Sequence, residues 1–204
     1  MDTIWTYKYA DINDDTLNIL QQELTDLWNN YTANKTYTSC RFIFLLMDDE
    51  AKTQCPVLLE EITRLGLDRI FEGVGFLVVP PGCYTPLHID NGVTITLSIP
   101  IINCENSYTV WYKDPERINL STDLNCIGQD TLLNPENAVH ELVDYLKNDQ
   151  VAYFKIDPGK EMDRVESVRA LWLNTAIPHR PEVLHDKLRV LATLRFNDLP
   201  NLEH

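Results

Sequence analysis

The most specific chemical signal in this sequence is a pair, His88 and Asp90, within Pro86-Leu87-His88-Ile89-Asp90-Asn91-Gly92. Successive side chains on a strand point to opposite faces, so His88 and Asp90 share one face and Ile89 takes the other. One imidazole and one carboxylate on rigid backbone make two points of a metal clamp. With a second histidine they complete the facial set of two histidines and one carboxylate, which leaves open positions on a ferrous ion. His-x-Asp recurs by chance in many proteins, so its surroundings matter. Pro80-Pro81-Gly82 marks a turn just before the pair, and Asn91-Gly92 is a strong turn signal just after it. The pair therefore sits at a strand end, beside loops, where sites are usually built.

The third ligand has to come from a distant part of the chain. His140 falls off the apolar stripe of its expected helix and suits a solvated surface; His204 is terminal and is set aside. His179 follows the expected strand Ala170-Leu171-Trp172-Leu173 and the polar Asn174-Thr175 step, and Pro178 restrains the backbone just before it. It is the stronger candidate, with His185, among charged neighbours, left open as the other. Arg189 opens the run Leu188-Arg189-Val190-Leu191-Ala192-Thr193-Leu194-Arg195-Phe196, whose even positions are all apolar. Arg189, Leu191, Thr193 and Arg195 share the opposite face. A buried arginine is costly without an anion, and a dicarboxylate held by the planar guanidinium fork would supply one. Arg195 is expected to be exposed, on an edge strand.

The elements that must position these residues follow from the rest of the chain. With 204 residues, 44% hydrophobic and 24% charged, the composition suits one globular domain with a substantial core. A net charge of −14 argues against binding to phosphate backbones or anionic lipid, so neither nucleic acid nor membrane is an expected partner. The five cysteines are widely spaced with no Cys-x-x-Cys pair, which disfavours both a disulfide framework and a structural zinc site. No secretory leader pattern and no membrane-length apolar run is present, so the cytoplasm is the expected location.

Residues 3–9 alternate as an opening strand. Asp14 and Asp15 then stand where helix caps belong, and Leu17, Leu20, Leu24, Leu27, Trp28 and Tyr31 recur at helical spacing as core positions. Residues 40–47 suggest a buried strand stopped by Asp48-Asp49-Glu50. A second helix follows, with Pro56 in its first turn, Leu58, Leu59, Ile62 and Leu65 on its stripe, and Gly66 past its end. Both helices should cover one face of a sheet. Short strands follow, at 70–79, 84–90, 93–101, 108–113, 151–156, 168–173 and 187–196, with a turn at Asp157-Pro158-Gly159 and a short helix carrying Val139, Leu142, Val143 and Leu146. In the 93–101 run, Val93, Ile95, Leu97, Ile99 and Ile101 oppose Thr94, Thr96 and Ser98. If Asn91-Gly92 closes a two-residue hairpin, His88 lies opposite Ile95 and the apolar row walls the clamp; if the chain crosses to a facing sheet, that pairing fails.

Pro81-Gly82, His88 and Asp90, then His179 with Arg189 ten residues beyond it, resemble the signature of the Fe(II)/2-oxoglutarate-dependent oxygenases, especially the aspartyl/asparaginyl β-hydroxylase-like branch. The likeness spans about residues 70–197, roughly two-thirds of the chain. It implies a β-rich α+β fold: a double-stranded β-helix, the jelly-roll or cupin-like barrel, over 69–197, with N-terminal support in 1–68 and a tail in 198–204. It further implies Fe(II) held by His88, Asp90 and His179, with Arg189 on the distal carboxylate of 2-oxoglutarate. Tyr112 is a further candidate for contact with 2-oxoglutarate or substrate, while Trp111 suits core packing. Unlike aspartyl β-hydroxylases, which can carry glycine at the metal carboxylate, this chain keeps Asp90, and its 93–99 run lacks that branch's second basic residue.

The expected activity is hydroxylation of a protein side chain, amino acid or small metabolite, with 2-oxoglutarate and oxygen as small-molecule partners. Loops 114–134 and 157–167 would set substrate choice. Two alternatives compete: a cupin-type metal enzyme that does not use 2-oxoglutarate, and a non-catalytic β-sandwich binding module. The second predicts that His88, Asp90 and His179 do not converge.

Overall fold

The computed structural model describes residues 5–32, 35–37, 40–46, 49–81, 83, 85, 87–90, 94–116, 152–154, 156–196, 198 and 200. The expected helix with Val139 to Leu146, together with His140, lies outside these residues. The first helix, α1 (Asp14–Thr32), buries Leu17, Leu20, Leu24, Leu27 and Trp28, as the helical period demands. Its cap is Asn13, whose Oδ1 accepts the Thr16 N–H at 2.9 Å, and not Asp14 or Asp15. Those two acids occupy the first turn, where they complement the helix dipole. Tyr31, expected in the core, is 37% exposed; in the last turn its hydroxyl keeps it at the water boundary.

A short α2 (Asp49–Gln54) forms where the sequence suggested only a stop. The next helix, α3 (Pro56–Arg64), begins with proline and is followed by Gly66 at φ 71°, as anticipated. Its N-terminus is closed from α1: both Glu23 carboxylate oxygens accept, at 2.9 Å, the N–H groups of Val57 and Leu58. These donors would otherwise be orphaned at the helix start.

Among the described residues the strands form two antiparallel sheets. The six-stranded sheet runs in the order β1 (Tyr7–Tyr9), β9 (Leu171–Asn174), β5 (Ile95–Ile102), β11 (Arg189–Phe196), β3 (Phe71–Val79), β2 (Arg41–Leu46). The five-stranded sheet runs β7 (Ala152–Phe154), β4 (Leu87–Ile89), β10 (His179–Val183), β6 (Ser107–Tyr112), β8 (Glu161–Glu166). Helices α1 and α3 cover the outer face of the larger sheet, where Leu20, Leu24, Leu27, Leu58 and Ile62 share one core with Val74, Phe76, Leu97, Ile99, Val190, Ala192 and Leu194. The inner faces of the two sheets meet through Trp111 and Val165 against Leu171 and Leu173.

Three expectations change. After β4 the chain crosses to the other sheet, so β5 pairs with β9 and β11 and the hairpin register fails. The apolar row Ile95, Leu97, Ile99 consequently packs under the helices, and Thr96 and Ser98 face the space between the sheets. Strand β2 is a half-buried sheet edge and not a buried strand. Finally, β8 occupies most of the 157–167 segment expected to be a loop, and β10 forms where no strand is expected. Their sequences, Glu-Met-Asp-Arg-Val-Glu and His-Arg-Pro-Glu-Val, lack the apolar alternation that signals strands. Pro181 inside β10 further obscures it; β4 meets β10 only at His179, so little ladder is lost on that side.

Glycines in β3 shape the inner surface of the larger sheet. A Cβ on Gly75 would lie 2.0 Å from the Phe42 ring, and one on Gly73 would lie 2.4 Å from the Leu45 carbonyl oxygen and 2.9 Å from the Phe44 ring. Two aromatic rings thus approach bare backbone closely. Gly73→Ala is expected to lower stability by about 1–3 kcal/mol through overpacking against a backbone atom that cannot swing away. Urea unfolding of the variant beside the wild type measures it; an unchanged midpoint would show that the strand yields freely.

Candidate metal centre

Strand β10 places His179 directly opposite His88 of β4 on one side and Trp111 of β6 on the other. Cross-strand partners share a face, so both imidazoles point inward, toward the larger sheet that Trp111 packs against. Their ring centres are 4.7 Å apart. Asp90 follows β4, and its N–H donates to the Thr175 carbonyl at 3.2 Å, which ties the loop carrying the carboxylate to the turn between β9 and β10. Trp111 Nε1 donates to the neighbouring Asn174 carbonyl at 2.9 Å and steadies the same turn. As a result, Asp90 Oδ1 lies 3.2 Å from His88 Nε2 and 3.9 Å from His179 Nε2. One ligand atom from each residue falls within 4.8 Å of the others, so the three can hold a metal ion.

Electrostatics prepares these groups as ligands. His179 Nδ1 donates to the Ile177 carbonyl at 2.9 Å, which leaves the lone pair on Nε2, facing Asp90. Burial, reinforced by the charge of His88, lowers the His179 pKa to about 4, so the ring is neutral in neutral solution. At Asp90 burial pushes the pKa up, but the His88 hydrogen bond and the nearby His179 and Arg195 charges outweigh it and hold the carboxyl below its usual range. A neutral imidazole and an ionised carboxylate are the protonation states that metal binding requires.

Arg189 is fully buried on the inner face of β11. Its Nη2 donates to Ser167 Oγ at 3.2 Å, while Nε and Nη1 have no hydrogen-bond partner among the described residues. Burial drags its pKa down, yet an arginine stays charged in a protein. Ser98 Oγ and Ser107 Oγ, also buried, are likewise unpartnered. Unpaired donors of this kind each cost about 1–3 kcal/mol, more when charged, unless something fills their needs.

The other residues singled out in the sequence go elsewhere. His185 Nε2 is bonded to the Asn103 carbonyl at 2.8 Å and its Nδ1 accepts the Lys187 N–H at 3.2 Å, so both ring nitrogens are engaged away from the centre. Tyr112, adjacent to Trp111, points to the opposite face, packing with Leu87 and Val110 and placing its hydroxyl 3.5 Å from Glu182 Oε1. Arg195 corrects an expectation: β11 is flanked by β5 and β3, so it is not an edge strand, and Arg195 is half-buried on its inner face. Its alternation with Leu194 and Phe196 was readable in the sequence; the facing sheet was not.

No protein-family model matches the chain, and no curated protein does. Solved structures resemble it. AviO1 from Streptomyces viridochromogenes Tue57 is 12% identical, with 95% of this chain and 90% of AviO1 aligned at a TM-score of 0.50. HygX from Streptomyces hygroscopicus, solved with nickel and 2-oxoglutarate bound, is 14% identical over 93% of this chain and 81% of its own, TM-score 0.49. SnoK, a non-heme alpha-ketoglutarate-dependent carbocyclase from nogalamycin biosynthesis, is 12% identical over 97% and 82%, TM-score 0.48. At such identities the likeness is one of fold, and the chemistry rests on the side chains. No helix among the described residues is long and apolar enough to cross a membrane.

The buried imidazole makes a pH dependence. Native His179 resists a proton until about pH 4, whereas an unfolded histidine takes one near 6.5, so the unfolded state binds the proton first. The metal-free protein should therefore lose stability as pH falls through that window, by up to roughly 3 kcal/mol from this group. Urea unfolding at pH 7, 5.5 and 4.5 reads the slope, and His179→Gln should flatten it; parallel slopes for the two proteins would refute the assignment.

Proposed function

We propose that this chain is an Fe(II)- and 2-oxoglutarate-dependent oxygenase built on a double-stranded β-helix. The observation that carries the proposal is the convergence of two histidines and one aspartate in a space whose facing sheet holds a fully buried arginine with unpaired donors. In this reading His88, Asp90 and His179 hold the ferrous ion, and Arg189 receives the distal carboxylate of 2-oxoglutarate. The unpartnered Nε and Nη1 support the fit: a carboxylate accepts both in the bidentate geometry that arginine favours. The alternative, a metal enzyme of cupin type that does not use 2-oxoglutarate, leaves those donors unmatched.

Ferrous iron and 2-oxoglutarate, when bound, would use dioxygen as the oxidant for both decarboxylation of the co-substrate and oxidation of an unactivated carbon. The protein's share is placement and exclusion of water. The hydrogen bond from His179 Nδ1 to Ile177 fixes one ligand's tautomer, and the Asp90 N–H bond to Thr175 fixes another's approach. Trp111, Leu171 and Leu173 form a dry wall between the sheets, which strengthens electrostatic holding at the site. A protein side chain, an amino acid and a small metabolite all remain compatible with the substrate position.

Anaerobic titration with Fe(II) and 2-oxoglutarate tests the reading through the visible charge-transfer band of the chelate. The wild type should develop the band and His88→Ala should not. Arg189→Met should raise the half-saturating 2-oxoglutarate concentration by about 10–100-fold, the worth of a charged hydrogen-bonded pair. A wild-type protein without the band, or an Arg189→Met variant that titrates like the wild type, would overturn it.

A further inference from the structure

We infer that Arg195 is the anion-recognition subsite for the organic substrate, which belongs to the class of small molecules or side chains carrying a carboxylate or a similar anionic group. This rests on the oxygenase reading above and adds the substrate's charge to it. Arg195 shares the inner face of β11 with Arg189 but stands six residues further along, about 20 Å at the rise of a strand. The guanidinium carbon lies 4.5 Å from the centre of the Phe42 ring and 5.6 Å from that of Phe44. Those are the two rings that Gly73 and Gly75 allow to approach the sheet closely, and Gly73 is the cross-strand partner of Arg195. Backbone, aromatic ring and cation form a stacked platform, in which the arginine is held by cation–π contact and not by a carboxylate.

The guanidinium is therefore positioned but not matched. Its Nε is buried with no hydrogen-bond partner, and Arg195 makes no salt bridge among the described residues. Strand pairing sets it at the metal end of the sheet: Leu194 pairs with Leu97 of β5, whose neighbouring Thr96 and Ile95 pair with Leu173 and Asn174, next to Thr175, the residue that accepts the Asp90 N–H. The charge balance of the loaded site shows what it lacks. A ferrous ion with Asp90 carries one net positive charge, and dianionic 2-oxoglutarate with Arg189 carries one net negative charge, so those four cancel. Arg195 adds a cation that nothing in the loaded centre neutralises. The co-substrate has one carboxylate for Arg189 and one for the metal, which leaves none to spare. An anionic substrate compensates the charge and is held beside the metal, as close approach of a reacting carbon requires.

The probe is acetate, with neutral acetamide as control, added to protein loaded anaerobically with Mn(II) and 2-oxoglutarate. Nuclear relaxation of the probe reports its residence near the paramagnetic ion. Saturable enhancement of acetate but not acetamide is expected in the wild type, reduced about fivefold or more in Arg195→Met and largely kept in Arg195→Lys, which retains the charge. Equal enhancement in wild type and Arg195→Met would overturn the assignment, since acetate would then be on the metal alone. It is also overturned if Arg195→Met weakens the 2-oxoglutarate charge-transfer band as much as Arg189→Met does, which would make it a co-substrate residue. A wild type with no such band refutes the oxygenase reading itself, and with it this assignment, a failure distinct from the other two.

Discussion

A single cross-strand pair, His179 opposite His88, sets the spacing of the two imidazoles, and the carboxylate of Asp90 closes on them because its backbone is tied to the turn that launches β10. Side chains on a strand alternate, so a slip of one residue in this register would turn His179 outward and put Arg180 in its place. The register is held from the far side, where five successive pairs join β10 to β6. Trp111 belongs to that ladder and is also packed into the larger sheet, so the second sheet's position and the metal ligands' spacing are set by the same contacts.

The larger sheet is two-faced for a related reason. Strand β11 gives Val190, Ala192 and Leu194 to the helices and Arg189, Thr193 and Arg195 to the interior between the sheets. Hydrophobic burial against α1 and α3 supplies the driving force that holds two arginines on the opposite face, one fully and one half withdrawn from water. Their environments differ. Arg189 is enclosed, with Ser167 as its hydrogen-bond partner among the described residues, whereas Arg195 lies half-buried on a platform of phenylalanine rings. One strand thus presents two cations, at opposite ends of the same face, in different surroundings.

Much of the local structure was legible in the sequence. The period of Leu17 to Trp28 gave α1, Pro56 and Gly66 bracketed α3, and the even positions of 190–196 announced an apolar face. The pairing of His88 with Asp90, and the preference for His179 over His185, needed only alternation, turn chemistry and the proline before His179. The errors share a cause. Strands β8 and β10 are polar because they sit in a sheet whose members are stabilised by ladder partners distant in sequence, so they carry no hydrophobic period to find. Tyr112, a candidate for ligand contact, faces away from Trp111 because alternation sends adjacent residues to opposite faces.

From its sequence alone the chain determined which residue types lie on which face of each element, because side-chain direction on a helix or strand is a local consequence of backbone geometry. It determined, too, that His88 and Asp90 share one face of a strand and that an arginine stands on a largely apolar strand. Only the tertiary structure decided that β4 and β5 part into different sheets, that Thr96 and Ser98 instead of the isoleucine row face the interior, and that Arg195 stands half-buried on an inner face and not on an exposed edge strand. Those outcomes depend on which sheet each strand joins, a choice made by packing between segments far apart along the chain, where no local period reaches.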